Sequence, residues 1–258
     1  MFKSIIYEKT GYITTIYLNR PEKLNSLNSP MCNELVTAIS KASDDKTRVM
    51  LIKSKGRAFC AGADLEEVKA VIHDPDRAKM FFDTINRVFF SLEEAPYPVI
   101  AAVNGLALTG GLELLMACDI IIASEGSQLG DHSSNYGLIP GGGIQRLSRI
   151  IGIHRAKYLM LTGEWLSAHE AMEIGLVNVV VPESDLEKTA HKLATNLADK
   201  SPLVNQKVKR IIRQEINMNI KDAVELEIFN AVEHLRSADC ISGIESFEQR
   251  KKPVFKGK

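Results

Sequence analysis

The chain predicts an α/β fold, and three observations carry that expectation. Short apolar runs, Val49 to Ile52, Val99 to Val103 and Ile120 to Ala123, have the length and β-branched content of buried strands. Segments with apolar residues at helical spacing lie between them. Strand and helix patterns alternate to about residue 180, and beyond it helices dominate. At 258 residues the chain can bury a large core as one domain or one and a half. The expected division is a core, residues 1–199, and a helical C-terminal region, residues 200–258.

Taken in order, Ile5-Ile6-Tyr7 and Ile13 to Leu18 read as a hairpin turning at Thr10-Gly11. Ser29-Pro30 caps a helix through Ala42, with Met31, Leu35 and Ile39 on one stripe. The strand Val49 to Ile52 leads through Lys53 to Arg57 into Ala58-Phe59-Cys60-Ala61-Gly62-Ala63-Asp64-Leu65, where small residues open onto a charged helix. Side chains this small let a ligand approach the backbone or let a tight loop pack. Arg77 to Glu94 is a helix with Met80, Phe81, Thr84, Ile85, Val88, Phe89 and Leu92 in its pattern, fit for packing and for walling a pocket. The strand Val99 to Val103 stops at the turn dipeptide Asn104-Gly105, and Thr109-Gly110-Gly111 precedes an apolar helix, Leu112 to Cys118. Four later helices follow: Ala168 to Ile174, Asp185 to Ala198, Pro202 to Glu215 and Lys221 to Arg236. The last has apolar residues on two sides, Val224, Ile228, Ala231 and Leu235 against Leu226 and Phe229, so it needs two partners.

Composition narrows the function classes. Lysine plus arginine equals aspartate plus glutamate, 32 each, which gives no footprint for nucleic acid or an anionic membrane. No apolar run reaches transmembrane length, and no charged segment leads an apolar secretion core. Cys32, Cys60, Cys118 and Cys240 are scattered, without metal spacing or a disulfide framework, so a reducing cytoplasm is expected. The histidines show no i, i+4 ligand pairing, and no metal site is expected.

The densest chemistry lies at Gly110-Gly111 and Glu113. Glycines at a helix start leave backbone N–H groups uncovered at the positive end of the helix dipole, a place to hold negative charge developing on an oxygen. Glu113 sits in the first turn, flanked by Leu112, Leu114, Leu115 and Met116. A carboxylate in so apolar a helix is expensive unless it is partnered or functional. An anion hole with an acid/base beside it is the minimum equipment for carbonyl-activated chemistry.

With both glycine loops in view, the chain resembles the crotonase (enoyl-CoA hydratase/isomerase) superfamily. The resemblance rests on Asn19 to Leu27, Ala58 to Leu65, Gly105 to Glu113, Cys118 to Ala123, Gly137 to Gly143, Leu161 to Gly163, Ala168 to Val177 and the tail Lys251 to Lys258. It implies a spiral of ββα units, then a helical C-terminal part that mediates trimerisation, commonly with two trimers stacked into a hexamer. It implies an acyl-CoA substrate, with coenzyme A as part of the thioester and no other cofactor. The matching anion-hole donors are the backbone N–H groups of Ala63, which follows Ala61-Gly62, and Gly110. Glu113 matches the first of the two hydratase glutamates. Lys23 and Leu24 match the loop along CoA, Asp64 and Leu65 border its pantetheine channel, and Phe255 and Lys258 match tail positions that reach CoA on a neighbouring subunit.

One departure bears on the reaction. Where hydratases carry phenylalanine-glycine-x-proline-glutamate, this chain reads Leu129-Gly130-Asp131-His132-Ser133, so Ser133 holds the place of the second glutamate. Serine is no general acid at neutral pH without help, which makes Asp131, His132 and Tyr136 candidates for a replacement relay. The expectation is a hydratase or dehydratase of a 2-enoyl-CoA acting through Glu113. A one-base enoyl-CoA isomerase, a hydrolase or decarboxylase of the same fold, and a non-catalytic acyl-CoA binding protein stay open.

Overall fold

A computed structural model describes residues 2–215 and 217–258. The hairpin forms as β1 (Ile5–Thr10) and β2 (Ile13–Leu18), paired antiparallel with Ile5 opposite Leu18. Helix α1 (Ser29–Asp44) follows. Its cap is Asn28 and not Ser29: the extended Asn28 aims its side-chain oxygen at the Met31 N–H, 3.0 Å away, while Ser29 is already helical beside Pro30.

Three successive turns then share one plan. β3 (Val49–Ser54) and β4 (Ala58–Cys60) lead to α2 (Leu65–Val71) and α3 (Pro75–Glu94). β5 (Val99–Val103) and β6 (Leu106–Leu108) lead to α4 (Gly110–Met116). β7 (Ile120–Ser124) and β8 (Gln128–Gly130) lead through a 3-10 turn at Ser133–Tyr136 to α5 (Gly143–Ile151) and α6 (Ile153–Thr162). Next come β9 (Trp165–Ser167), α7 (Ala168–Glu173) and β10 (Val179–Val181). The chain closes with α8 (Glu183–Ala198), α9 (Pro202–Glu215), α10 (Ile220–Leu235) and α11 (Ala238–Glu248). Helix α4 begins two residues earlier than its apolar pattern predicts, because Thr109, at φ +47° and ψ −114°, makes the turn and leaves both glycines helical.

The first strand of each turn joins a six-stranded sheet, β1-β2-β3-β5-β7-β10, and the second joins a four-stranded one, β4-β6-β8-β9. The pairs β3·β5, β5·β7, β4·β6 and β6·β8 are parallel, so each turn stacks on the last and the chain winds as a ββα spiral. Both faces of the large sheet are buried, which is why its strands read as unbroken apolar runs. Val49, Leu51, Ile100, Ala102 and Ile122 pack with Leu186, Ala190 and Ala194 of α8. Their alternates Met50, Ile52, Val99, Ala101 and Val103 face the main core with α1, α3 and α4.

The C-terminal helices join this core through polar links. Lys209 of α9 pairs with Asp119 at 2.8 Å, and Asp119 also accepts from the Val99 N–H at 2.7 Å, securing the entry to β7. Among the described residues no helix is long and apolar enough to cross a membrane. Ile228, Phe229, Leu235, Ile244 and Phe247 of α10 and α11 are exposed.

Candidate active site

Two loops meet at the C-terminal ends of β4 and β6. The first is held by Asn25, fully buried at φ +55°, whose amide donates to the Lys55 and Ala58 carbonyls at 2.8 Å each and whose oxygen accepts from the Arg20 N–H at 2.8 Å. From there Leu27 lies alongside Ala63, donating to the Gly62 carbonyl at 2.7 Å and accepting from the Asp64 N–H at 2.9 Å. These bonds take the groups on either side of Ala63, and among the described residues the Ala63 N–H donates to no backbone carbonyl. Gly62 sits at φ +112°, and any Cβ there collides with the Thr109 hydroxyl.

Gly110 comes up against this loop from β6 and α4. A Cβ on Gly110 would lie 3.3 Å from the Ala63 nitrogen, a tight contact, so the missing side chain lets the two backbone donors sit side by side without displacement. Gly111 makes a similar approach to the Cys60 carbonyl, which a side chain would strike. As the first residue of α4, Gly110 has no intrahelical acceptor for its N–H. The arrangement is a pair of donors at a helix N-terminus, shaped for an oxygen that gains charge.

Glu113 lies one turn along α4 and is 4 % exposed. Its Oε1 accepts from the Gly143 N–H at 2.8 Å, at the start of α5. Burial pushes its carboxyl up to about 7; the Gly143 and Gly142 N–H groups oppose that rise, and the nearby Asp131 carboxylate adds to it. A carboxyl in this range both takes and gives a proton near neutral pH. The loop that holds it is itself held. Asn86 of α3 donates to the Gly141 carbonyl at 2.9 Å, and Arg146 of α5 donates to the Gly142 carbonyl at 3.1 Å and pairs with Glu93 at 2.6 Å.

A cavity of about 500 Å³ opens over these groups. Ala61, Ala63, Thr109, Gly110 and Glu113 form its polar end. Leu65 and Val68 of α2, Phe82 and Ile85 of α3, and Leu138, Ile139 and Pro140 wall it with apolar surface, while His132, Ser133 and Tyr136 enter from the 3-10 turn. Asp131, 2 % exposed, accepts from the Ser133 N–H at 2.9 Å through Oδ1 and leaves Oδ2 without a partner among the described residues.

The structure therefore brings Ala61, Ala63, Leu65, Gly110, Glu113, His132 and Ser133 to one cavity, with Asp131 just beneath its lining. The other positions singled out from sequence stand apart from it. Asp64 is bound into the loop, accepting from Arg20 at 2.8 Å and capping α2 at the Glu66 N–H, which holds its carboxyl below the usual range despite burial. Lys23 pairs with Glu66 at 2.6 Å on the surface beside Leu24, which turns at φ +49°. Phe255 and Lys258 lie on their own chain, where Arg48 donates to the Phe255 carbonyl at 2.8 Å and the Asp239 N–H donates to that of Lys258 at 3.1 Å. Cys60 is buried with its thiol pushed up to about 12, as a packing residue requires. Sequence reasoning assigned no role to Gly143, Asn86, Arg146 or Trp165. The glycine run Gly141 to Gly143 was the one local signal, and its meaning depends on where α5 meets Glu113.

Comparison with known proteins agrees with this geometry. Residues 8–258 match the family model described as enoyl-CoA hydratase/isomerase. A short-chain-enoyl-CoA hydratase of Clostridium acetobutylicum is 37% identical over 99% of this chain and 98% of its own length. A trans-2-decenoyl-[acyl-carrier-protein] isomerase of Streptococcus mutans is 31% identical over 100% and 99%. The crystal structure of an enoyl-CoA hydratase from Bacillus anthracis superposes with a TM-score of 0.95 at 35% identity, covering 99% of this chain and all of that one.

Proposed function

The chain belongs to the enoyl-CoA hydratase/isomerase family, and on that premise we propose that it hydrates a 2-enoyl-CoA thioester, and dehydrates the 3-hydroxyacyl-CoA in reverse, with Glu113 as its acid/base. The observation that carries this reading is the position of Glu113: a buried carboxyl, pushed up to about 7, lining the same cavity as the Ala63 and Gly110 N–H donors. The substrate carbonyl oxygen accepts from those two donors, which draws electrons away from Cβ. Water then adds through its oxygen to Cβ while the Glu113 carboxylate takes a water proton. Negative charge collects on the thioester oxygen as an enolate, where the helix N-terminus stabilises it. Glu113 returns the proton to Cα, the carbonyl re-forms, and the net change is one water added across Cα=Cβ.

The Gly143 N–H fixes Glu113 Oε1 and leaves Oε2 for the substrate. Ser133 contributes a hydroxyl in place of a second carboxylate. The apolar wall suits an acyl chain, Leu65 lies at the exit toward pantetheine, and Lys23 and Leu24 flank the outward path of CoA. Phe255 and Lys258 complete the CoA site of a neighbouring subunit in a trimer or hexamer.

A second reading has one specific observation in its favour. Glu113 is the one carboxylate lining the cavity among the described residues, and moving a double bond needs a single proton shuttle. Heavy-oxygen water separates the two readings. Under hydration, crotonyl-CoA gains the label at Cβ; under isomerisation, a 3-enoyl-CoA becomes the 2-enoyl form and no oxygen enters. Absence of label from crotonyl-CoA, with fast conversion of the 3-enoyl substrate, overturns the hydration reading.

A further inference from the structure

His132 lines the cavity beside Ser133, and Trp165 reaches its ring from β9 of the small sheet. The indole Nε1 lies 3.2 Å from His132 Nδ1, with the rings 5.6 Å apart and tilted by 41°. Tyr136 packs edge-on against the same imidazole at 5.6 Å. Strand register enforces the meeting. Gly130 of β8 pairs with Trp165, and a Cβ on Gly130 would lie 3.0 Å from Trp165 Cδ1. An indole N–H only donates, so Nδ1 must be the accepting nitrogen and the ring proton must sit on Nε2. A ring bound this way accepts at Nδ1 and presents Nε2–H as a hydrogen-bond donor.

We infer that Trp165 is a positioning residue that holds His132 as an Nε2–H donor to the oxygen at Cβ of the substrate, the added water or the product hydroxyl. The identity of that oxygen rests on the hydration reading above. His132 is then an orienting donor and not the general base its residue type allows. Together with the Ser133 hydroxyl it does the steering that a second carboxylate does elsewhere, and it adds no second negative charge beside Glu113.

The test compares binding of 3-hydroxybutyryl-CoA and butyryl-CoA by calorimetry, in a Glu113→Gln background that slows turnover. The hydroxyl should tighten binding by about fivefold, the range of one net hydrogen bond. His132→Ala should erase that preference, read as the ratio of the two affinities measured on the same variant. His132→Gln, which keeps an N–H donor, should retain most of it, and Trp165→Phe should weaken it. Long-range proton–nitrogen NMR of otherwise unaltered protein reports the tautomer directly: Nε2–H is required, and Trp165→Phe should mix the two forms. An Nδ1–H tautomer, or a hydroxyl preference indifferent to His132→Ala, overturns the inference. Failure of the reaction itself looks different: crotonyl-CoA stays unhydrated by wild type while the His132-dependent hydroxyl preference persists, which supports the donor role and refutes the hydratase reading.

Discussion

Replacing Glu113 by glutamine should make the enzyme slower and the fold more stable, each by a predictable amount. Glutamine keeps an oxygen that can accept the Gly143 N–H bond, now 2.8 Å long, and loses only the ability to move a proton. General acid–base catalysis contributes about 10²–10⁴-fold, so kcat should fall at least about a hundredfold while acyl-CoA binding survives. The stability effect follows from the sign of the shift. Burial raises the folded-state carboxyl from 4.5 to about 7, so the native protein prefers the protonated form. Its contribution to stability is intact below about pH 4.5 and is lost as pH rises through 7, where the charged group must stay buried. At about 1.36 kcal/mol per pKa unit, the loss approaches about 3 kcal/mol by pH 8. Urea unfolding of wild type and Glu113→Gln at pH 5 and pH 8 measures it: the variant should gain on wild type as pH rises. The same group sets the rate profile, because the carboxylate is the form that accepts the proton, and kcat/KM should climb through a midpoint near 7. Parallel stability curves, or turnover within about threefold of wild type, would remove Glu113 from the role assigned to it.

Three further outcomes test the surrounding architecture. Gly110→Pro removes one anion-hole donor and also sets a side chain against the Ala63 nitrogen, so kcat should drop by at least about 10²–10³, read on protein whose circular dichroism shows the fold kept. A rate loss under twofold means that N–H does not hold the oxygen. Gly143→Ala places a Cβ 2.9 Å from Glu113 Oε1, so Glu113 must shift; kcat should fall by about tenfold, since displacement by about an ångström is costly, while KM holds. Equal kcat for the two proteins would show that this bond does not position the carboxyl. Finally, the exposed apolar faces of α10 and α11, with Ile228, Phe229, Leu235, Ile244 and Phe247, should be covered in a trimer or hexamer. Light scattering that finds a stable monomer at micromolar concentration would refute the shared CoA site at Phe255 and Lys258 as well.

Much of the architecture is legible along the chain because it is local. The runs Val49 to Ile52 and Val99 to Val103 announce strands buried on both faces, and the stripe Phe81, Ile85, Val88, Phe89 announces one face of α3. The short second strands β4, β6, β8 and β9 escape such reading. Each is three residues long, too short for any periodicity, and Gln128–Gly130 is strand only because Leu106–Leu108 and Trp165–Ser167 flank it. Helices α5, α6 and α11 are not among the expected helices either, and a single glycine, Gly152, separates the first two.

The site divides the same way. Residue types and adjacency determine that Gly110 and Glu113 share a helix start, that Ala61 to Ala63 form a loop of small residues, and that position 133 carries no carboxyl. Those properties belong to single residues and their immediate neighbours. Tertiary structure alone decides that Ala63 meets Gly110, that Gly143 donates to Glu113 from 30 residues away, and that Trp165 fixes the tautomer of His132 from 33 residues away. A hydrogen bond requires two groups within about 3 Å, and no pattern along one segment records which distant segment will supply the second. The acidity of Glu113 is decided there too, because its largest cause is burial by residues from several elements.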